Sequence, residues 1–319
     1  MARLLTSSVM VIALATACGS VRRIEVPPGP PAAEQLAALW TDPGTTPRDL
    51  FWGIGGDKAA PAKDAIYTSS VRDDKGFSVT YDVTGPDGVE WSAKIGPEAQ
   101  TEVVLSHVLW GLGYHQPPIY YLPKWNVAIG KEGVKVEGEA RFRPKLPEIR
   151  SSKDLWHWAK NPFLGTPQLR GLLVILLMFN STDLKDDNNR IYQLQQPWDG
   201  ASRWFIVRDL GASLGETGKV YPRRNWWLGF EKQAFITAVD GDRVQFDYDG
   251  LHKELLRMIR ADDVRWAAQQ LARLTDQQWH DAFQSANYAQ VDADRYIGRL
   301  KEKIEDGLAL RVDRRAAHD

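Results

Sequence analysis

Hydrophobic and polar positions divide the chain into a β-rich part followed by a helix-rich part. Between residues 65 and 95, apolar and polar residues alternate in short segments, which predicts three strands. Turn residues such as Gly85-Pro86-Asp87-Gly88 separate them. A helix is predicted from Glu98 to about Leu112, because Pro97 is favoured at a helix start and Gly113 favours a helix end. The first part is therefore predicted to be an antiparallel meander followed by one helix.

The second part has helical spacing. Residues 167–179 are apolar on nearly every face, which predicts a buried helix. A short aromatic helix is predicted at 152–158, and Thr275 with Gln278 has the pattern of a capping box in a helical tail. With 319 residues, 43% of them hydrophobic, the chain is long enough for a large core. The prediction is an α+β chain.

The N-terminal residues resemble a bacterial lipoprotein signal. Arg3 precedes an apolar segment at 4–14, which is too short for a stable membrane-spanning helix, and small residues lead into Cys18, the single cysteine. We expect cleavage before Cys18 and lipidation of its thiol, with two or more acyl chains giving a stable anchor at the cell envelope, outside the cytoplasm. The alternative is an ordinary signal peptide that contains a cysteine at its cleavage site.

Composition and turn residues predict the domain organisation. The segment after Cys18 contains Pro27-Pro28-Gly29-Pro30-Pro31, which is typical of an extended tether. The net charge is −1, from 40 basic and 41 acidic residues, so no nucleic-acid partner is expected. The predicted units are a signal peptide at 1–18, a tether at 19–48, a small lobe at 49–125, a larger lobe at 126–310 and a tail at 311–319.

Candidate chemistry is concentrated in three polar pieces that follow apolar segments. Asp183, Lys185 and Asn188 share one short loop after the buried helix. In phosphoryl transfer an acid orients the hydroxyl nucleophile, a lysine faces the phosphate oxygens, and an asparagine holds magnesium. Asp209 follows a predicted strand and enters a turn at Gly211. The third piece is Lys94, at the end of a predicted strand and just before the helix that carries Glu98 and Glu102.

In this order the motifs resemble those of the protein-kinase-like superfamily. Asp183-Leu184-Lys185-x-x-Asn188 matches its D-L-K-x-x-N catalytic loop, and Asp209-Leu210-Gly211 matches D-F-G with leucine for phenylalanine. The chain is more similar to the atypical branches, which include HipA-like, phosphoinositide-kinase-like and secretory casein-kinase-like proteins. The resemblance implies a bilobal fold, with a small antiparallel β lobe carrying one helix and a larger, mostly helical lobe.

The resemblance also implies roles for these residues. Lys94 would contact the phosphates of ATP and would be held by Glu102 or, alternatively, by Glu98. Asn188 and Asp209 would hold Mg²⁺ or Mn²⁺. Asp183 would orient the acceptor hydroxyl, and Lys185 would neutralise charge on the transferred group. The acceptor stays open between a protein, a sugar and a lipid headgroup.

Two departures from the kinase pattern leave alternatives open. Ser181-Thr182 precedes Asp183 where ordinary protein kinases have His-Arg, and no G-x-G-x-x-G lies in the first hairpin. Gly53-Ile54-Gly55-Gly56 is glycine-rich but lies well upstream. One alternative is therefore an inactive kinase-like lipoprotein that binds a ligand or a protein, and another is transfer of a different group, such as a nucleotidyl unit. The histidine spacing does not support a zinc site, and no G-x-S-x-G is present.

Overall fold

The computed structural model describes residues 29–74, 78–198, 200–218 and 223–311. The predicted signal peptide, with Cys18, lies outside the described residues, as does the tail from residue 312. Lipidation of Cys18 thus stays a prediction. None of the helices in the described ranges combines the length and apolar character needed to cross a membrane.

Seven strands form one sheet in the first part of the chain. Its strands are β1 (Ile66–Asp73), β2 (Thr80–Thr84), β3 (Glu90–Ile95), β4 (Tyr120–Leu122), β5 (Trp125–Ala128), β6 (Val134–Glu137) and β7 (Ala140–Pro144). They lie in the order β4-β7-β3-β2-β1-β5-β6. The predicted meander is present as the antiparallel pairs β1–β2 and β2–β3, and β1 with β5 is a parallel pair.

The sheet continues past the predicted lobe boundary at residue 125. Strand β7 inserts between β3 and β4, with Phe142 opposite both Ala93 and Tyr120. Phe142 belongs to an aromatic core on one face of the sheet, where it lies against Trp91 and Trp125. This packing makes β5, β6 and β7 part of the first lobe, so the sheet ends at Pro144 rather than near residue 125.

Helix α2 (Glu98–Gly111) connects this sheet to the rest of the molecule. It follows Pro97, as predicted, and ends at Gly111, with Leu112 as the C-cap. Gly113 has a φ of 96°, and a Cβ there would lie 2.0 Å from the carbonyl oxygen of Thr41, so both conformation and space require glycine. Val104 and Val108 are fully buried, because the sheet and helix α6 (Asp276–Ser285) both pack against α2.

The second part of the chain is mostly helical. Its other helices are α3 (Pro167–Met178), α4 (Trp227–Lys232), α5 (Ala261–Leu271) and α7 (Gln290–Ala309). A three-stranded sheet is formed by β8 (Ile149–Ser151), β9 (Asn189–Trp198) and β10 (Ala201–Val207), and a hairpin by β11 (Ile236–Asp240) and β12 (Arg243–Phe246). The predicted capping box of Thr275 with Gln278 is present, and at the start of α3 Thr166 accepts a hydrogen bond from the Leu169 N–H.

Two predictions about local structure are wrong. The predicted tether at 19–48 is too long, since helix α1 (Ala33–Ala37) is followed by Leu39, which is fully buried in the core. Residues 152–158 are not helical. There the backbone N–H of Trp158 donates to Asp186 and the carbonyl of Trp156 accepts from Asn189, so tertiary hydrogen bonds replace those of a helix.

Candidate functional site

Strand β3 places Lys94 at the centre of three carboxylates. Its Nζ lies 2.7 Å from Glu98, 3.0 Å from Asp209 and 3.5 Å from Glu102. The Lys94 side chain is 12% exposed. Burial lowers the pKa of this ammonium group, but the negative charges of Glu102, Asp209 and Glu98 outweigh burial, and the pKa is raised. Lys94 is therefore charged, and Glu98 is a closer partner than the predicted Glu102.

Glu102 is a buried carboxylate shared by three cations. Its Oε1 lies 3.0 Å from Arg141 Nε and 2.7 Å from Arg143 Nη2, while its Oε2 faces Lys94. Burial raises the pKa of the Glu102 carboxyl, but the positive charges of Arg141, Lys94 and Arg143 together have the larger effect. The pKa is therefore lowered. Glu102 thus stays ionised although its side chain is 1% exposed.

Strand β10 leads into the turn that carries Asp209. The carbonyl of Gly211 accepts a hydrogen bond of 2.7 Å from Thr101 on α2, and a Cβ at Gly211 would lie 2.5 Å from the Cβ of Glu98. The turn can therefore approach α2 this closely only because residue 211 lacks a side chain. Burial raises the pKa of Asp209, but Lys94, Arg141 and Arg143 together lower it more, which keeps this carboxyl ionised.

The predicted catalytic loop follows helix α3. Asn188 donates from Nδ2 to the carbonyl of Asp183 at 2.8 Å, which closes the loop and leaves the Asn188 carbonyl oxygen for other contacts. Lys185 donates to Oδ2 of Asp183 at 2.9 Å. Oδ1 of Asp183 is buried and has no hydrogen-bond partner within the described parts of the chain. A buried acceptor of this kind is expected to receive a hydrogen bond from a bound group.

Two contacts that the sequence did not indicate hold this loop from behind. Lys303 on α7 is fully buried and donates to the carbonyl of Met178, at the end of α3, and to Oδ1 of Asn180. Asn180 has a φ of 52° and donates to the carbonyl of Gly215. Lys303 thus stabilises the start of the predicted catalytic loop. Through this residue α7 helps to position the loop, although it does not line the cavity.

A cavity of about 240 Å³ collects most of the predicted site residues. Lys94, Glu102, Asn188 and Asp209 all line it. The other charged residues of its wall are Asp187, Arg141, Arg143, Arg190 and Arg208. Asp183 and Lys185 do not line this cavity; they are joined to it through the hydrogen bond from Asn188 to the Asp183 carbonyl.

A larger cavity of about 590 Å³ adjoins the first. Ser92, Arg143 and Arg208 line both cavities, so the two meet at these side chains. The larger cavity lies where the chain passes from β7 to β8, and its apolar wall contains Leu146 and Ile149. The two cavities together form one cleft. Its larger end, called the apolar end for Leu146 and Ile149, also carries Asp82, Lys145 and Arg150, and its smaller end is the charged end.

The oxygen donors at the charged end fit a magnesium ion. Mg²⁺ prefers oxygen ligands and is commonly held by one or two protein side chains together with waters and substrate phosphates. Asn188 and Asp209 supply an amide and a carboxylate oxygen in one cavity. No group of three or more His, Cys, Asp or Glu side chains within the described residues is placed to hold a metal ion alone. The donor set therefore suits a metal bound jointly with a phosphate.

The arginines of the cleft were missed from the sequence. Arg141 and Arg143 alternate along β7, so both point to one side of the strand, and that side faces Glu102. The period-two spacing of the two arginines is visible in the sequence. Which face of the sheet they lie on depends on where β7 pairs, and the sequence does not indicate that. The glycine-rich segment is not part of the cleft: Gly53–Gly55 forms a 3₁₀ turn packed against His107 and Tyr120.

The site and sheet together decide the fold. A mostly antiparallel sheet with one helix carries a strand lysine that meets a helix glutamate, and a mostly helical part supplies an acid and an asparagine to the same cavity. The fold is protein-kinase-like. The α+β, bilobal architecture expected from the sequence is thereby confirmed.

Comparison with known proteins gives similarity in structure only. No protein-family model matches the chain, and no curated protein sequence matches it significantly. The chain is similar to the proinflammatory kinase CtkA of Helicobacter pylori, with 10% identity over 76% of this chain and 96% of that chain and a TM-score of 0.43. It is also similar to the Golgi casein kinase, with 10% identity over 78% of this chain and 73% of that chain and a TM-score of 0.40.

Proposed function

We propose that the chain is an ATP- and Mg²⁺-dependent phosphotransferase. One observation carries the proposal: Lys94 and Asp209 meet at 3.0 Å in a cavity that Asn188 also lines. A strand lysine, an acid after a later strand and a loop asparagine are the groups that bind phosphates and their metal in kinases.

In this proposal, each residue has a role that follows from its position in the cleft. The apolar end receives the base, and Lys94 faces the phosphates at the charged end. Asn188 and Asp209 hold Mg²⁺, which when bound neutralises charge on the phosphate oxygens. Asp183 accepts the proton of the acceptor hydroxyl through its unpartnered Oδ1, and Lys185 places its positive charge beside the transferred group.

Location and acceptor belong to the same proposal. The sequence around Cys18 supports a lipid anchor at the bacterial cell envelope, which would present the cleft outside the cytoplasm. The acceptor is a hydroxyl of a protein, a sugar or a lipid headgroup. The near-neutral balance of charge supports these over a nucleic acid.

A second candidate is a kinase-like binding module without turnover. The observation that favours it is the pairing of both acids with lysines, Asp183 with Lys185 and Asp209 with Lys94. In this candidate the ion pairs are permanent, and the cleft binds a ligand without transferring a group.

A thermal-shift titration of the purified full chain separates the two candidates. A ligand that binds only the folded state raises the melting temperature. We expect ATP to do so only with Mg²⁺ or Mn²⁺, and we expect Asp209→Asn to abolish the rise. Asp240→Asn, which removes an exposed carboxylate on β11 outside both cavities, is the matched control and should leave the rise unchanged.

Turnover is tested with water as the acceptor, by measuring phosphate release from ATP. Asp183→Asn should retain the metal-dependent thermal shift and lose at least about 100-fold in rate, because a general base contributes by that order. A metal-dependent shift without measurable release would favour the binding module. No shift at millimolar ATP would contradict the proposal.

A further inference from the structure

Two guanidinium groups lie where the cavities of the cleft meet. Arg143 and Arg208 line both the charged cavity and the larger one, together with Ser92. Nη2 of Arg143 donates to the backbone carbonyl of Arg208 at 3.3 Å, and the positive charge of Arg143 lowers the pKa of the Arg208 guanidinium, so the two charges act on each other. Any ligand that extends from the apolar end to Asn188 and Asp209 must pass these two side chains.

The positive charge at this junction is not balanced by protein carboxylates. Arg143 shares Glu102 with Arg141 and Lys94, so one carboxylate serves three cations. Nε of Arg143 is buried without a hydrogen-bond partner, and the guanidinium of Arg208 makes no hydrogen bond or ion pair with the residues that the structure describes. Like charges this close in a partly buried site favour binding of an anion.

Lys94 does not supply this spare charge. Three carboxylates already surround its ammonium group, those of Glu98, Glu102 and Asp209. The chain also lacks G-x-G-x-x-G in its first hairpin, and Gly53–Gly55 packs elsewhere. The glycine pattern whose backbone N–H groups cradle phosphates in kinases is therefore missing from the sequence of this hairpin.

We propose that Arg143 and Arg208, the arginine clamp, bind the phosphate groups of a nucleoside di- or triphosphate at the junction of the two cavities. Guanidinium groups bind phosphate oxygens with paired, charge-assisted hydrogen bonds, which a lysine does not reproduce. In the arginine clamp, side chains hold the phosphates that backbone N–H groups hold in a glycine-rich loop. This inference rests on the proposed function for its ligand, a nucleotide, and on the geometry of the cleft for its site.

Arg208 is the residue to change, because removing Arg143 would also strip Glu102 of a partner. Binding of ADP, inorganic tripolyphosphate and adenosine is measured by calorimetry on the full chain. We expect Arg208→Gln to weaken the binding of ADP and of tripolyphosphate by at least about tenfold. The affinity for adenosine should be unchanged, since adenosine has no phosphate. The affinities of Arg208→Lys for ADP and tripolyphosphate should lie between those of the unaltered chain and of Arg208→Gln, because lysine keeps the charge without the paired donors.

Arg257→Gln is the matched control. Arg257 is exposed, lies shortly before α5 and lines neither cavity of the cleft. Its removal should leave all three affinities within about twofold. A melting curve of each variant without ligand shows whether it is folded.

The outcomes separate this inference from the proposed function. If the unaltered chain binds ADP and Arg208→Gln binds it equally well, the clamp is wrong and the phosphotransferase proposal stands. If Arg208→Gln loses adenosine as well, Arg208 only shapes the cleft and the clamp is wrong. If tripolyphosphate depends on Arg208 but ATP shows neither a metal-dependent shift nor turnover, the clamp stands and the proposed function fails. Binding of none of the three probes overturns both.

Discussion

At the scale of single residues, the site depends on one buried carboxylate. Glu102 compensates Arg141, Arg143 and Lys94 at 3.5 Å or less, in a position from which water is nearly excluded. Removing one member of a buried ionic group leaves the others without compensation, which costs far more than breaking an ion pair at the surface. Glu102 is thus expected to stabilise the folded protein as well as to hold Lys94 in the site.

We expect Glu102→Gln to lower the free energy of unfolding by about 3 kcal/mol, because two buried arginines lose their charge partner. Urea denaturation followed by tryptophan fluorescence measures this change. Glu90→Gln is the control, since Glu90 is exposed on the same strand as Lys94 and should change stability by less than about 0.5 kcal/mol. Equal effects of the two substitutions would contradict the role given to Glu102.

Motifs in the sequence indicated candidate residues with fixed spacing, of which Asn188 and Asp209 line the charged cavity, and missed the cavity residues that depend on strand pairing. Asp183, Asn188 and Asp209 could be found because loop motifs keep their spacing in the sequence. Arg143 could not, because a charged residue on a strand ordinarily faces solvent. Only the position of β7 between β3 and β4 turns it towards Glu102, and no local pattern specifies that pairing.

At the scale of secondary-structure elements, the site is a contact between helix α2 and the turn after β10. Thr101 on α2 donates to the carbonyl of Gly211, and the backbone of Gly211 lies directly against Glu98. This contact sets how close Asp209 lies to Lys94, since one residue is on the turn and the other is just before the helix. A change that separates the two elements should loosen the site.

Gly211→Ala tests that contact. The added Cβ would lie 2.5 Å from the Cβ of Glu98, so α2 and the turn must move apart. We expect a loss of about 1–3 kcal/mol in stability from overpacking and a weaker metal-dependent shift with ATP. Both are read from melting curves with and without ligand.

Gly298→Ala in α7 is the matched control for this substitution. No heavy atom lies within 4 Å of a Cβ at that position. Alanine has a higher helix propensity than glycine, so Gly298→Ala should raise stability by up to about 1 kcal/mol and leave the shift with ATP unchanged. A weaker shift in both variants would show that the α2 contact is not what controls the site.

Most elements were predictable from local patterns, and the exceptions share a physical cause. Strands β1 to β3 and helices α2 and α3 follow apolar periodicity, which is local. The extension of the sheet to Pro144 and the non-helical path of 152–158 both result from long-range hydrogen bonds, from β3 to β7 and from Trp158 to Asp186. Such contacts are set by the whole fold and leave no periodic signal.

At the scale of the whole molecule, α2 belongs to the core of the helical part. Val104, Leu105 and Val108 are fully buried in the same apolar cluster as the residues of α3, α5, α6 and α7, whereas one face of the sheet has a separate aromatic cluster. Gln100 on α2 also donates to the carbonyl of Ala286, just after α6. The helix that carries Glu102 is therefore fixed to the second lobe.

Because Glu102 on α2 forms buried ion pairs with Arg141 and Arg143 on strand β7 of the sheet, we expect the two parts to unfold in a single cooperative transition. If α2 and its core unfold together with the sheet, calorimetry of the full chain should give a calorimetric enthalpy equal to the van't Hoff enthalpy, and Val108→Ala should lower one melting temperature without splitting the peak. Two separated transitions would contradict it and would mean that the lobes are independent. A fixed α2 means that folding itself, rather than a later movement of the helix, brings Glu102 to Lys94.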